Sequence, residues 1–382
     1  MRPRKKICLV ATVPVVLHVF MREHIKRLSA NYDVTLVVPG TRHDVEALLG
    51  EHVDFIPYAI ERKISLKRDV ISLYRLWRIL MQRRYDCVLS LMPKSGLVAM
   101  LAGWLSATRC RVHIFTGQVW FTRRGLGRRF LMFLDRLLAG AATHLLTDSH
   151  SQRDFLIESK IVGRDKIRVL GKGSISGVDI ERFKPDPQRA AQMRSEMNIA
   201  ENAKVFLFLG RVNTAKGILD LARAFASLGE EYADAHLLVV GPDDEGIDES
   251  LAAILQPCQD RFHRVGFTRT PEHYMAMADV FCMPSYREGF GLAVIEAAAV
   301  GVPSMVSRIY GLTDAVEEDV TGLFHEAGDI AQIREVLTRL HGDSVLRDRL
   351  ALSGLQRARR DFSQDLVVGE MQVFIKAIMD RQ

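Results

Sequence analysis

Pro284-Ser-Tyr-Arg-Glu-Gly-Phe-Gly-Leu-Ala-Val-Ile-Glu296 follows a short apolar run, Val280 to Met283, and leads into an apolar stretch that continues to Val300. A strand, a glycine-bearing turn and a helix in that order make up the repeating unit of a parallel α/β sheet. Gly289 and Gly291 let the backbone come close to a ligand. The helix expected from Leu292 aims its first N–H groups and the positive end of its dipole at the same place. The segment therefore reads as a seat for an anion or a sugar phosphate. Glu288 before the helix and Glu296 inside it have seven residues between them, and carboxylates are good acceptors for paired hydroxyls. Glu296 stands in the apolar run Leu292 to Val300, where an idle charge is costly.

Upstream, Gly210-Arg-Val-Asn-Thr-Ala-Lys-Gly217 also follows a strand pattern, Val205 to Leu209. It is not a P-loop, because Ala215 precedes the lysine and no Ser or Thr follows it. Arg211 and Lys216 at a strand's carboxyl end still suit a diphosphate, although a lone Arg and Lys in a loop are more often solvated surface charges. Further strand patterns occur at Ala235 to Val240, Phe262 to Val265 and Pro303 to Val306, separated by helical stretches.

The same alternation fills the first half: Ile7 to Ala11, Val34 to Val38, Val53 to Pro57, Cys87 to Leu91, Val112 to Phe115, Thr143 to Thr147 and Ile167 to Leu170. Between the two series, residues 171–203 carry Gly171, Gly173, Gly177, Pro185 and Pro187 without strand periodicity, which marks an interdomain connection. The expected organisation is α/β with two doubly wound parallel-sheet domains: residues 1–180, residues 181–362, and a terminal helix at 363–382 packing back on the first domain. A length of 382 residues fits two domains. The helix expected at 69–84 places Val70, Leu73, Trp77, Leu80 and Met81 on one face.

Residues 1–180 hold 30 Lys and Arg against 15 Asp and Glu, whereas residues 181–382 hold 22 against 31. The first half is thus set to attract polyanions, and charge alone does not choose among nucleic acid, anionic lipid and phosphorylated substrates. Five scattered cysteines without a C-x-x-C pair argue against a zinc or redox motif and fit a reducing compartment. The N-terminal MRPRKKICLVATVPVVLHVFMR has a basic start and an apolar stretch but no small-x-small cleavage site. It reads as the opening of a β-loop-α unit. The apolar stretch Leu97 to Ala107 falls well short of the ~20 residues of a membrane span.

Glu288 and Glu296, the Gly210-Arg211…Gly217 loop with Lys216, and Gly177-Val178-Asp179 followed by Phe183 together resemble the retaining glycosyltransferases of family four, which have the two-domain GT-B fold of Rossmann-like domains facing across a cleft. Phe115-Thr-Gly-Gln-Val-Trp120 and Gly171-Lys-Gly-Ser-Ile-Ser-Gly177 are similar to the bacterial branch that extends a sugar on undecaprenyl diphosphate. The resemblance implies that Arg211 and Lys216 hold the nucleotide diphosphate and Glu296 the ribose hydroxyls. It implies that Glu288, with the amides of Gly289, Phe290 and Gly291 ahead of Leu292, holds the transferred sugar, and that Val265 and Phe267 flank the base. Glu288, Arg211 and Lys216 are the catalytic candidates, and Thr12, Pro14, Thr116, Gly117, Gln118, Gly173 and Ser174 are the acceptor-side candidates. The donor is expected to be a UDP-sugar and the acceptor a polyprenyl-diphosphate-linked sugar, with no cofactor and no metal in the donor site.

The chain departs from the family at two places. Thr12-Val-Pro-Val-Val-Leu17 replaces the glycine pair after the first strand, and Thr116 replaces a histidine. His113, inside a strand pattern, reads as structural. No D-x-D, H-E-x-x-H or G-x-G-x-x-G after the first strand occurs, and Asp148-Ser149-His150 reads as an N-cap before a helix from Ser151 rather than as hydrolase machinery. The alternatives are a nucleotide-sugar 2-epimerase of the same architecture and a basic nucleic-acid-binding protein; no recognised nucleic-acid motif is present, and no nucleic-acid partner is expected. Arg75, Arg78, Arg83 and Arg84 with Tyr74 and Trp77, and Arg123, Arg124, Arg128 and Arg129 in the segment from Trp120 to Phe133, lead to a further expectation. They point to an anionic membrane surface as partner, with the protein peripheral on the cytoplasmic face of the inner membrane.

Overall fold

The apolar runs become strands, and every pairing between them is parallel. The structure, a computed structural model, describes residues 4–49, 53–60 and 65–381. Strands β1 (Lys6–Val10), β2 (Asp33–Val38), β3 (Asp54–Pro57), β4 (Cys87–Leu91), β5 (Cys110–Phe115), β6 (His144–Thr147) and β7 (Ile167–Val169) form one sheet in the order β3-β2-β1-β4-β5-β6-β7. Strands β8 (Lys204–Leu209), β9 (Ala235–Val240), β10 (Phe262–Val265), β11 (Val280–Met283), β12 (Ser304–Ser307) and β13 (Gly322–His325) form a second, ordered β10-β9-β8-β11-β12-β13.

The chain divides into two units, one running to Ser176 and resuming at Asp365, the other Gly177–Gln364. Each sheet is covered by helices on both faces, which is why inner strands such as β4 and β11 are buried along their whole length, whereas the edge strands β3, β7 and β10 carry Asp54, Arg168, and His263 with Arg264. On one face of the first sheet, Leu17, Met21 and Ile25 pack with Met371, Phe374 and Ile375 of the terminal helix Gln364–Asp380. On the other face lie Leu76, Leu80, Val98, Met100 and Leu138. The second sheet is covered by Val294, Ile295 and Phe362 on one side and by Leu221, Phe225, Ile333 and Leu337 on the other.

In both sheets the strand order reverses once, between β1 and β4 and between β8 and β11. Open α/β sheets bind ligands at the carboxyl ends of strands flanking such a reversal. The loops that leave β8 and β11 are the two glycine-bearing segments singled out in the sequence.

The boundary falls after Ser176 rather than after residue 180, and the return falls at 364/365 rather than 362/363. Residues 171–203 contain a helix, Pro187–Glu196, capped by the Asp186 side chain; it escapes the periodicity because Met193 is its one fully buried residue. In the helix Leu66–Arg83 the buried stripe is Leu76 and Leu80, with Leu73 and Trp77 half-buried, whereas Val70 and Met81 face solvent. Trp120 is not a surface aromatic. It is buried, stacked on Phe155 with ring centres 5.1 Å apart, and donates its indole N–H to Asp135 Oδ2 at 2.7 Å. His113 is buried with Nδ1 2.9 Å from Ser90 Oγ, and burial pushes its pKa down to about 3, as suits a neutral core histidine.

Candidate active site

The loop after β8 and the loop after β11 are locked together. Gly217 has φ +68°, and a Cβ there would lie 1.9 Å from the Pro284 carbonyl oxygen, so only glycine fits. The Tyr286 N–H donates to the Ala215 carbonyl at 3.0 Å, and the Tyr286 hydroxyl donates to Asp220 Oδ2 at 2.6 Å. Asn213 accepts from the Lys216 N–H at 3.1 Å, which tightens the turn that presents the lysine. Lys216 Nζ then donates to Glu288 Oε1 at 2.5 Å, and Ser285 Oγ donates to the same oxygen at 2.8 Å. The Lys216 and Glu288 side chains are 19% and 13% exposed, enough for a ligand to reach them and too little for water to screen the pair fully.

Gly291, φ +90°, starts the helix Leu292–Val300, and Gly311 lies against the turn before it: a Cβ on Gly311 would sit 2.5 Å from the Gly289 carbonyl oxygen. The Phe290 ring is turned into the core against Phe362, so only its backbone belongs to the turn. Leu292 is packed at the edge of the same core. Glu296, in the helix's second turn, is partly buried. Burial lifts its pKa to about 7, with Arg182 pulling it down and Glu272 pushing it up; Arg182 is paired to Glu272 at 2.7 Å.

The ends of β8, β9 and β10 also converge. The Gly241 N–H donates to the Val265 carbonyl at 3.0 Å, and a Cβ on Gly241 would lie 1.8 Å from the Gly210 carbonyl oxygen. Phe267, just beyond, is 72% exposed. Arg211 is paired with Asp244 at 2.9 Å, and Glu245 takes the Thr214 N–H and hydroxyl, at 2.9 and 2.8 Å, which hold its carboxyl below the usual range. The acidic turn Asp243 to Glu245 and the Gly311 backing are contributions that sequence reasoning missed. The run Asp243-Asp244-Glu245 directly after β9 was the available signal for the first.

In the first unit, Thr12 follows β1 and donates to Met92 Sδ at 2.9 Å, and Pro14 opens the helical turn Pro14–Val16. The other acceptor-side candidates gather elsewhere. Thr116, Gly117 and Gln118 follow β5, and Gly173 and Ser174 follow β7. Gln152 Nε2 donates to Gln118 Oε1 at 3.2 Å, Asp148 N donates to Gln152 Oε1 at 3.1 Å, and Ser174 N donates to the Asp148 carbonyl at 2.6 Å. Within Asp148-Ser149-His150, Ser149 is the residue that caps, and the helix runs His150–Glu158 rather than from Ser151.

Chemically, the second unit presents one cation held by a carboxylate, a second cation at a loop mouth, a helix N-terminus and a partly buried carboxylate around the ends of β8 and β11. That set can hold a diphosphate and stabilise negative charge developing on it, with carboxylates left for hydroxyls.

Residues 17–173 match the profile of the family described as Glycosyl transferase 4-like domain, and residues 190–357 match Glycosyl transferases group 1. The chain is 28% identical over 355 residues to the capsular polysaccharide biosynthesis glycosyltransferase CapM of Staphylococcus aureus, covering 92% of each. It is 28% identical over 298 residues to the UDP-Gal:alpha-D-GlcNAc-diphosphoundecaprenol alpha-1,3-galactosyltransferase of Escherichia coli, covering 76% of this chain and 75% of that one. Among solved structures, Anabaena Alr3699/HepE in complex with UDP superposes with a TM-score of 0.81 at 17% identity, over 98% of this chain and all of that one.

Proposed function

The chain belongs to the GT-B glycosyltransferases, a 4-like domain followed by a group 1 domain, and on that premise we propose a specific transfer. A hexose or N-acetylhexosamine moves from a UDP-sugar, with retention of configuration, to a sugar on a polyprenyl-diphosphate carrier in surface polysaccharide or glycan assembly. The observation that carries the reading is the Lys216–Glu288 pair at the β8/β11 reversal, where a donor diphosphate would meet both a cation and a helix N-terminus. The UDP bound in the Anabaena structure and the lipid-linked acceptor for which the Escherichia coli relative is named support donor and acceptor class.

In this mechanism the bond from the sugar's anomeric carbon to the diphosphate oxygen breaks, and its electron pair stays on that oxygen. The acceptor hydroxyl adds to the same face and its proton passes to the departing phosphate oxygen. Negative charge therefore grows where Lys216, Arg211 and the backbone ahead of Leu292 would stabilise it. Glu288 would orient the transferred sugar, Glu296 would take the ribose hydroxyls, and Phe267 would cover the base.

The test is a panel of UDP-sugars offered with short prenyl-diphosphate sugars, following UDP release and the anomeric configuration of the product. Acceptor-dependent UDP release with a retained linkage is expected. Conversion of the UDP-sugar without any acceptor would instead favour the 2-epimerase reading. Because the diphosphate charge is met by side chains and backbone, turnover is expected to persist in EDTA; complete loss restored by magnesium or manganese would contradict this.

The proposed place of work is the cytoplasmic face of the inner membrane. Among the described residues no helix is long and apolar enough to cross a bilayer. The helices Leu66–Arg83, Pro93–Leu105 and Gly125–Ala141 lie side by side and expose Ile71, Tyr74, Trp104, Leu126, Phe130 and Phe133. Arg75, Arg78, Arg123, Arg124 and Arg129 stand exposed among them. Each basic residue near an anionic leaflet contributes about 1 kcal/mol, and the inserted apolar groups add to it. The protein should float with phosphatidylglycerol-containing vesicles at low salt and be partly released at high salt; failure to float at low salt would remove the membrane from the reading.

A further inference from the structure

Asp148 follows β6 directly, and β6 lies between β5 and β7 in the sheet. The carboxyl ends of these three strands carry Thr116 to Gln118, Asp148, and Gly171 to Ser174. Both main-chain groups of Asp148 are engaged: its N–H with Gln152, its carbonyl with the Ser174 N–H. The segments on either side are held in conformations that few residues adopt. Gly117 has φ +90° and Gly173 φ +108°, and Ser174 keeps φ +67° although it is not glycine, a strain that the surrounding contacts must hold. His24 Nε2 fixes the next residue by donating to the Ile175 carbonyl at 2.7 Å.

Within this fixed frame the Asp148 side chain stands apart. It is 6% exposed, and Oδ1 is buried with no hydrogen-bond partner. Burial alone acts on the carboxyl, pushing its pKa well above the usual range. An unsatisfied buried acid is destabilising, and its main chain is already tied on both sides, so packing does not require a carboxyl there. A carboxyl kept neutral both donates and accepts, and so matches a sugar hydroxyl. The groups joined to its main chain, the Gln152 amide with Gln118 behind it and the Ser174 N–H, are uncharged hydrogen-bonding groups, which suit a polyhydroxylated ring better than a phosphate.

We propose that Asp148 is an acceptor-binding residue, whose carboxyl hydrogen-bonds hydroxyls of the sugar that receives the transferred one. This rests on the lipid-linked acceptor reading given above. It also gives Gln118 and Gln152 a positioning role, since their amide chain sets the direction of the Asp148 main chain.

The experiment titrates the full chain with two probes, farnesyl diphosphate and farnesyl-diphosphate-linked N-acetylglucosamine, and in parallel with UDP. For Asp148→Ala, affinity for the sugar-bearing probe is expected to fall about 10-fold or more, as for one lost hydrogen bond to an acid. Affinities for farnesyl diphosphate and UDP should stay within about 2-fold of wild type. Asp148→Leu, closer in size to aspartate, provides the same comparison if the alanine variant does not fold. Unchanged affinity for the sugar-bearing probe would overturn the proposal while leaving the transferase reading intact. An equal fall for both farnesyl probes would assign Asp148 a purely structural role and overturn it too. A wild-type protein that binds UDP but not the sugar-bearing probe would remove the lipid-linked acceptor, and this proposal with it.

Discussion

Lys216→Ala is expected to lower the turnover number about 10²- to 10³-fold at saturating donor, with a smaller change in the donor's apparent KM. The lysine is placed by the Asn213-capped turn and held by Glu288, so its charge is in position before any donor binds. A preorganised charge of that kind is worth most where negative charge develops, and removing one costs about 10² to 10³ in rate. An interaction stronger in the transition state than in the ground state acts on turnover, whereas one equal in both acts on apparent affinity alone. Arg211→Ala should act in the same direction. Its guanidinium is 62% exposed and paired with Asp244, so it must exchange one partner for another to reach a diphosphate. Near-normal turnover in either variant, with circular dichroism unchanged, would return that residue to the class of surface charges.

The two carboxylates should separate. Glu288→Gln is expected to slow transfer about 10- to 100-fold with donor affinity little changed, because Glu288 touches Lys216 and Ser285 at the place assigned to the transferred sugar. Glu296→Gln should instead raise the donor's apparent KM by a similar factor. Steady-state kinetics on both variants decide this, and equal effects on both constants in both variants would refute the assignment. The pKa of Glu296 adds a second signature. Its folded value, about 7, lies above the ordinary 4.5, so the folded protein keeps the proton across that window and loses stability as pH rises through it. Glu296→Gln should therefore melt above wild type at pH 8 and close to it below pH 4.5. Wild-type donor affinity should rise as pH passes through 7, and the glutamine variant should lose that dependence.

Twelve of the thirteen strands are legible, the inner ones because a strand buried on both faces is a nearly unbroken apolar run, and the edge ones because turn residues punctuate the β-branched and aromatic residues they retain. Gly322–His325 is not, since it opens on glycine and follows an acidic turn. The buried stripe of the helix Leu66–Arg83 is drawn too wide by a 3.6-residue period, which admits Val70 and Met81 at its margins and passes over Leu76. At the site, the glycines and charges of each loop are visible locally. The Lys216–Glu288 contact is not, because it depends on β8 and β11 being neighbours, a matter of strand order rather than of either segment. Asp148 passes as part of a helix-capping segment for the same reason: its significance comes from what β5 and β7 place beside it. That Trp120 is a core residue is not legible in its own segment, because the group that holds its N–H is Asp135, fifteen residues on.

The contact of Gly217 with the Pro284 carbonyl bears on how such enzymes diversify. Two stretches more than sixty positions apart share one van der Waals surface with no slack, so an altered backbone in either is felt at once by the other. Recombination that imports residues 284–296 from a homologue of different donor preference, while keeping 210–217, would join surfaces that never shaped each other. New preferences in this scaffold should thus arise by side-chain exchange on an unchanged pair of loops, or by inheritance of both loops together.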